Sequence, residues 1–267
     1  AGVCTLRESV SNSDHVDLGA ICKTHGLPWH YVDDINSTKT LDWIRDKAPD
    51  VIFCFGWSRL LKQDLLSLAP LGVVGFHPAA LPENRGRHPL IWALVLGLER
   101  TASSFFFMDA GADSGDILSQ REIVIDEGDD ARALYDKVTQ SAMAQIDGFL
   151  PLLASGTFER RKQNEHLANT WRKRGYTDGR IDWRMSARTI NNLVRGLAKP
   201  YVGAHFVVEG QEIKVWKAEV VNAVPANMEP GKVLLLSGSK TVIKCGEGAI
   251  SLLITEPSFK PIEGSYL

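Results

Sequence analysis

The sequence has no long hydrophobic run, no excess charge of either sign and few cysteines. No uninterrupted apolar segment approaches the roughly 20 residues that a membrane-spanning helix needs, so the sequence predicts no membrane span. A formal net charge of −2 gives no field that would collect nucleic acid or an anionic membrane surface. The four cysteines are scattered without a CxxC pair, and no cluster has metal-ligand spacing. These absences predict free thiols, a reducing cytoplasmic compartment and no metal site.

Periodic apolar segments divide the 267 residues into three parts. Strands and helices alternate over residues 1–155, and buried strands such as DVIFCFGW and LGVVGFH carry continuous apolar runs. This alternation predicts an α/β domain with a doubly wound, mostly parallel sheet. Residues 156–180 are polar and charged and predict a linker. After them, one amphipathic helix (SARTINNLVRGL) and five short strands with glycine-rich turns predict a small β-barrel domain over residues 181–267.

A histidine and an aspartate follow two neighbouring strands of the predicted sheet. His77 ends the run VVGFH, and Asp113 follows the strand SSFFFMD. A carboxylate beside an imidazole can fix its tautomer and raise its pKa, which is a common way to build an acid–base pair. Each residue also has an interpretation without a function: His77 as a loop histidine whose hydrogen bonds are satisfied, and Asp113 as a turn-forming residue. Their position at strand ends, among prolines and glycines that stiffen the loops, favours a functional interpretation.

Two motifs around these residues carry a family resemblance. FHPAALPENRGRHPLIWAL followed by MDAGADSGDIL resembles the folate-dependent formyltransferases, whose usual pattern is Asn-x-His, LP, RG and then D-x-G-x-D-x-G. That family includes methionyl-tRNA formyltransferase and the sugar N-formyltransferases. The C-terminal IDW, the helix after it and GQEIKVWKAEVV also resemble the small OB-like barrel of these enzymes. The resemblance implies the formyltransferase fold and transfer of a formyl group from 10-formyltetrahydrofolate, without a metal, to an amine.

The resemblance also implies roles for particular residues. His77 and Asp113 match the catalytic histidine and aspartate of the family. Two segments match its pterin pocket, which is formed largely by backbone groups. The predicted cofactor-binding residues are Phe55, Gly56, Trp57, Ser58, Leu60, Met108, Asp109, Ala110 and Gly111.

Two departures from the family pattern affect these expectations. Gly75 stands where the family has the asparagine whose amide stabilises the oxyanion. Three interpretations stay open: His77 acts alone when protonated, a nearby donor such as Asn84 or Ser104 replaces the amide, or activity is low. The family also has a first strand and helix before the segment that matches AGVCTL, so we expect the working protein to be longer than the numbered chain.

The acceptor substrate is predicted from charge. The tRNA-specific members carry a basic loop at the position of RESVSNSDHVD, which has one arginine and three acids here. Binding a tRNA backbone without clustered cations would be unusual, so we favour a nucleotide-linked amino sugar, with Arg87 and His88 placed to meet its diphosphate. Methionyl-tRNA formyltransferase, and a formyltetrahydrofolate hydrolase or folate-binding protein, are the alternatives. A homodimer through the exposed strands of the barrel is a further expectation.

Overall fold

The computed structural model describes residues 1–8, 15–57, 59–221, 224–236 and 240–267. Most of the RESVSNSDHVD loop therefore lies outside the described residues. The chain forms two compact units. Unit 1 comprises Ala1–Gly86, Ala102–Arg121 and Ser141–Thr170, and unit 2 comprises Arg87–Thr101, Glu122–Gln140 and Trp171–Leu267. The boundaries at 155 and 180 stay a prediction.

Helices and strands alternate along the first part of the chain, as the apolar pattern predicts. The elements are β1 (Val3–Thr5), α1 (Gly19–Thr24), β2 (Trp29–Tyr31), α2 (Thr38–Arg45), β3 (Ile52–Cys54), α3 (Gln63–Leu66), β4 (Val73–His77), β5 (Arg85–Gly86), α4 (Pro89–Val95), β6 (Arg100–Phe107), β7 (Ile117–Val124), α5 (Ala131–Ser155) and β8 (Thr170–Trp171). The N-terminal region is α/β, which confirms the predicted class.

The strand directions differ from the prediction of a mostly parallel sheet. The strands β3, β4, β6 and β7 form one sheet in that order. The β3–β4 pair is parallel, but β4 and β6 are antiparallel, with His77 opposite Ser104 and Val74 opposite Phe107. The parallel β1–β2 pair forms a separate two-stranded sheet. The sequence could not reveal this mixture because a buried strand has the same continuous apolar run in either direction.

Apolar side chains fix both faces of the sheet in unit 1. Val74, Phe105 and Phe107 pack against Phe149 and Leu153 of α5. Another cluster joins apolar residues of α2, α3 and the start of β4, with Met108 and Trp57 packed at its margin. The loops that follow β4 and β6 therefore start from strands that are buried and well packed.

The C-terminal part contains one helix and an antiparallel sheet. Its elements are α6 (Ala187–Gly196), β9 (Ala204–Val208), β10 (Gln211–Val221), β11 (Val233–Leu236), β12 (Lys240–Lys244) and β13 (Ala249–Glu256). Ser186 caps α6 by accepting a hydrogen bond from the Thr189 N–H, and the helix buries Ile190, Leu193 and Val194 against the sheet core. The five strands form a curled half-barrel in the order β11-β12-β13-β10-β9. The predicted helix and strands are confirmed here.

Within the residues described above, no helix has the length and hydrophobicity needed to cross a membrane.

Candidate active site

His77 lies at the end of β4 and is almost fully buried, with 5% of its surface exposed. Its Nε2 lies 2.7 Å from the backbone carbonyl oxygen of Asn84. A carbonyl can only accept, so Nε2 carries a hydrogen and donates it. The second ring nitrogen, Nδ1, is therefore the atom of His77 that is left for proton transfer.

Asp113 faces that nitrogen. Its Oδ2 lies 3.7 Å from His77 Nδ1, which is too long for a direct hydrogen bond but within the distance of an ion pair when the imidazole is protonated. The same oxygen accepts a hydrogen bond from the Gly86 N–H at 2.8 Å. Asp113 has a positive φ of 55°, an uncommon conformation that non-glycine residues adopt mainly in tight turns. The structure thus brings the two predicted catalytic residues together.

The two residues do not meet for the reason that the sequence suggested. Because β4 and β6 are antiparallel, the end of β6 pairs with the start of β4, away from His77. The connection from Met108 to Asp116 folds back and is closed by a hydrogen bond from the Phe107 N–H to the Asp116 carbonyl. The turn geometry of this connection, and not the end of β6 itself, delivers Asp113 to His77.

The connection also depends on a glycine that the sequence analysis did not single out. A Cβ atom at Gly115 would lie 1.7 Å from the carbonyl oxygen of Phe107. Only glycine allows the backbone to approach this closely. Gly115 is therefore a structural requirement of the loop that carries Asp113.

The space around Gly75 is already occupied. A Cβ atom at this position would lie 2.9 Å from Cγ and 3.1 Å from Sδ of Met108, and 3.1 Å from Phe106. An asparagine at residue 75, as in the family pattern, does not fit unless Met108 moves. The glycine and the methionine thus form a complementary pair.

Of the two replacement donors considered from the sequence, one is already engaged. Ser104 is fully buried, and its hydroxyl donates to the Ala79 carbonyl at 2.6 Å. Asn84 has a positive φ of 63°, and its backbone N–H donates to the side chain of Asn169. Among the described residues, the side-chain amide of Asn84 has no hydrogen-bond partner, so it is the better candidate for an oxyanion donor.

We predict that the Gly75 position can accept asparagine only together with a smaller residue at 108. Gly75→Asn alone should lower the free energy of unfolding by about 1–3 kcal/mol, the usual cost of an overpacked core. Gly75→Asn combined with Met108→Ala should recover part of that loss, because the alanine vacates the space next to residue 75. Met108→Ala alone is the control, and urea denaturation gives the three values. Strictly additive effects of the two substitutions would contradict this pairing.

A polar network from the predicted linker holds the two site loops. Gln163 donates from Nε2 to the carbonyl oxygens of Asp113 and Gly115, at 2.8 and 2.7 Å. Its Oε1 accepts hydrogen bonds from Nε and one terminal nitrogen of Arg85. Arg85 is buried and also pairs with Glu165, and these hydrogen bonds raise the pKa of its guanidinium. One amide thus connects the loop of Asp113 to the loop that follows His77.

Sequence reasoning missed Gln163 and Asn169 as parts of the site. They lie in a polar segment without apolar periodicity, and Gln163 is 50 residues from Asp113 along the chain. The Asn-Arg-Gly sequence predicts a turn at Arg85, but it does not indicate which residues the guanidinium contacts. A single sequence contains no feature that indicates such a long-range amide contact.

The first predicted pterin segment is exposed and tied to the loop after β2. Phe55 and Leu60 are 45% and 74% exposed, and Gly56 has a positive φ of 64° with open space where a Cβ would lie. Leu60 accepts a hydrogen bond from Asn36 through its backbone carbonyl. The indole N–H of Trp57 is buried and has no partner among the described residues. Ser58, which was also predicted here, lies outside the described residues.

The second predicted pterin segment begins at Met108. Asp109 Oδ1 accepts hydrogen bonds from the Gly111 N–H at 2.9 Å and from the Ser114 hydroxyl at 2.7 Å. Asp109, Ala110 and Gly111 are exposed. Both predicted segments therefore contain exposed residues, and their role in cofactor binding stays a prediction.

Arg87 and His88, the predicted substrate contacts, belong to unit 2. His88 has a positive φ of 56° at the start of α4. Their role in substrate binding also stays a prediction. No group of three or more His, Cys, Asp or Glu side chains that could hold a metal is found within the described ranges.

Comparison with protein families connects both parts of the chain to one family. Residues 32–146 match the family described as formyl transferase, and residues 175–265 match its C-terminal domain. The chain belongs to the formyltransferase family. This membership confirms the resemblance seen in the FHPAALPENRG and MDAGADSGDIL motifs, and the chain carries both domains that the family models describe.

Solved structures with a similar fold include several formyltransferases. The N-formyltransferase from Helicobacter canadensis, in complex with folinic acid and dTDP-3-aminofucose, shows 17% identity over 92% of this chain and 86% of its own, with a TM-score of 0.68. Methionyl-tRNA formyltransferase from Clostridium thermocellum shows 18% identity over 83% and 94% of the two chains, with a TM-score of 0.61.

A third similar structure belongs to a longer protein. HypX from Aquifex aeolicus, in complex with tetrahydrofolic acid, shows 20% identity over 94% of this chain, with a TM-score of 0.65. The chain described here spans 43% of the HypX chain. At these identities the three structures show a shared fold.

Proposed function

We propose that this formyltransferase moves a formyl group from 10-formyltetrahydrofolate to the amine of a nucleotide-linked amino sugar. The observation that carries the proposal is the coupling of buried His77 to Asp113, with Nδ1 of the imidazole facing the carboxylate at 3.7 Å. The fold is shared with enzymes whose structures hold tetrahydrofolic acid, or folinic acid with a nucleotide-linked amino sugar. These similarities support both the donor and the acceptor class.

The proposed reaction needs a proton acceptor, a proton donor and an oxyanion partner. The amine nitrogen attacks the formyl carbon and forms a C–N bond, and the carbonyl oxygen becomes an oxyanion. His77 Nδ1 takes the amine proton, and the carboxylate of Asp113 stabilises the imidazolium that forms. Collapse of the tetrahedral intermediate breaks the bond from the formyl carbon to N10 of the folate, and the imidazolium returns the proton to N10.

We propose that the side-chain amide of Asn84 donates to the oxyanion in place of the asparagine that is absent at Gly75. Asn84 is next to His77, since its own carbonyl accepts the Nε2–H at 2.7 Å. Its amide is uncommitted among the described residues. An oxyanion donor of this kind contributes about 3–4 kcal/mol in comparable sites.

The folate pocket in this proposal uses the segments predicted from the sequence. It comprises Phe55, Gly56, Trp57, Ser58, Leu60, Met108, Asp109, Ala110 and Gly111. Phe55 is 45% exposed and its phenyl ring could contact the pterin, and residues 109–111 are exposed next to Met108. We retain the predictions that the half-barrel is OB-like and that the enzyme is cytoplasmic and dimeric.

A mass-spectrometric acceptor screen tests the proposal. The protein is incubated with 10-formyltetrahydrofolate and a panel of nucleotide-linked amino sugars, with charged initiator Met-tRNA alongside. We expect a formyl adduct on one sugar nucleotide, and no adduct with Asp113→Asn. An adduct on the tRNA alone would contradict the sugar assignment. Release of formate without any acceptor would instead favour the hydrolase.

A further inference from the structure

Unit 2 contains a buried arginine without an acidic partner. Arg174 is 8% exposed, and its guanidinium donates a hydrogen bond to the backbone carbonyl of Asp178. No carboxylate lies within ion-pair distance of this guanidinium among the described residues. Buried charges in proteins are normally paired because removing a charge from water is costly. A guanidinium that is nine-tenths buried and forms no ion pair is suited to receive an anion.

The side chain of Arg174 is held in place by an aromatic ring. Its guanidinium lies over the ring of Trp92 at 4.6 Å, and that of Arg172 lies 5.3 Å from the same ring. The indole N–H of Trp92 donates to the Arg172 carbonyl at 3.0 Å. These contacts orient the arginine before any ligand binds, which lowers the entropy that binding has to overcome.

Asp178, whose backbone carbonyl accepts a hydrogen bond from Arg174, is already paired with another arginine. Asp178 forms a bidentate ion pair with Arg172, in which one of the two contacts is 2.8 Å long. It also accepts a hydrogen bond from the Gly175 N–H at 2.7 Å. The negative charge of Asp178 is thus paired with Arg172 and only partly offsets the charge of Arg174, whose pKa is lowered mainly by burial.

His88 follows Arg87, the residue after the Asn-Arg-Gly turn, and it contacts Arg174. Its Nδ1 accepts a hydrogen bond from the Arg174 backbone N–H at 3.4 Å, which leaves its Nε2–H as a donor. Burial lowers the pKa of His88, and repulsion by Arg87, Arg174 and Lys173 lowers it further, against a weaker opposite effect of Asp178. The positive charges of three cations therefore act on the imidazole of His88 and favour its neutral form.

We infer that Arg174, Lys173, Arg87 and the Nε2–H of His88 form a binding site for phosphate groups, and that its ligand is the diphosphate of the acceptor substrate. The planar guanidinium of arginine matches phosphate oxygens in pairs, and a lysine adds a mobile charge. The phosphate site stands on the geometry of unit 2, and only the source of the phosphate rests on the proposed function. Two cations of the predicted linker, Lys173 and Arg174, thus act on one histidine.

The test uses inorganic pyrophosphate as the probe. Calorimetry should show binding to the full chain, and NMR titration of the His88 ring should show a higher pKa in its presence, because an anion stabilises the imidazolium. Lys173→Gln should weaken pyrophosphate binding about tenfold, the effect of losing one charge-assisted hydrogen bond. The matched control is Lys199→Gln, which removes a cation that lies over Trp216 in the same unit. Arg174→Lys keeps the charge and should weaken binding less than Arg174→Gln.

Several outcomes would overturn the inference. A His88 pKa that does not respond to pyrophosphate, or equal binding by Lys173→Gln and Lys199→Gln, would remove the phosphate site. Tighter, steeply salt-dependent binding of tRNA than of a nucleoside diphosphate would overturn the assigned source. If a sugar nucleotide is formylated equally well by Lys173→Gln, this inference fails while the proposed function stands. Pyrophosphate binding without formylation of any sugar nucleotide would leave the site and refute the function.

Discussion

Asp113→Asn is expected to lower the turnover number of formyl transfer by about 10²- to 10⁴-fold, the usual contribution of a general base, and to leave folate affinity unchanged. The amide keeps the shape of the carboxylate and can still accept the Gly86 N–H through its oxygen. It cannot take a proton or stabilise an imidazolium on the Nδ1 side of His77. Single-turnover kinetics with saturating 10-formyltetrahydrofolate would measure the loss, and folate affinity would be measured by fluorescence titration.

Two further variants make this expectation specific. Asp116→Asn changes another acid of the same loop, whose backbone carbonyl closes the connection to Phe107, and should retain activity. His77→Asn should lose about as much as Asp113→Asn, and the double variant should lose little more, because the two side chains act as a unit. Turnover by Asp113→Asn close to that of the parent enzyme would contradict the assignment of this pair.

Gly115→Ala is expected to have the largest effect on stability. The added methyl group would lie 1.7 Å from the Phe107 carbonyl oxygen, which is backbone and cannot rotate away. The loop must therefore open, and the hydrogen bond from Gln163 to the Gly115 carbonyl is lost with it. We expect a decrease in the free energy of unfolding above the ~1–3 kcal/mol of ordinary overpacking, and loss of transfer activity.

A matched glycine provides the control. Gly128 has nothing within 4 Å of an added Cβ atom, and Gly128→Ala should leave the urea midpoint and the activity close to those of the parent enzyme. If Gly115→Ala denatured at the same urea concentration as Gly128→Ala, the close approach of loop and strand in the structure would be refuted.

The two residues that sequence reasoning placed at the site could be predicted because they belong to short, local motifs. His77 ends an apolar strand and Asp113 sits in a glycine-rich turn, and both signals are readable within a few residues. The predicted amphipathic helix and short C-terminal strands follow for the same reason. Periodicity along the chain is a local property, and the sequence contains it directly.

What the sequence did not predict depends on contacts between distant segments. The antiparallel pairing of β4 with β6 cannot be derived from an apolar run. A strand that is buried on both faces has the same apolar pattern whether it runs parallel or antiparallel to its neighbour. The filling of the space at Gly75 by Met108 is a three-dimensional match between residues on different strands and loops. Gln163 has no local signal because its partners are Asp113, Gly115 and Arg85.

The amide of Gln163 has a consequence for any attempt to isolate the α/β half. A fragment that stops at residue 155, where the long helix ends, would contain His77 and Asp113 but not the side chain that joins their loops. Unit 1 itself extends to Thr170. The shortest fragment that keeps the pair aligned must therefore run past Gln163, and a split-protein design that cuts between 155 and 163 would place the connecting amide on a different polypeptide from the two loops.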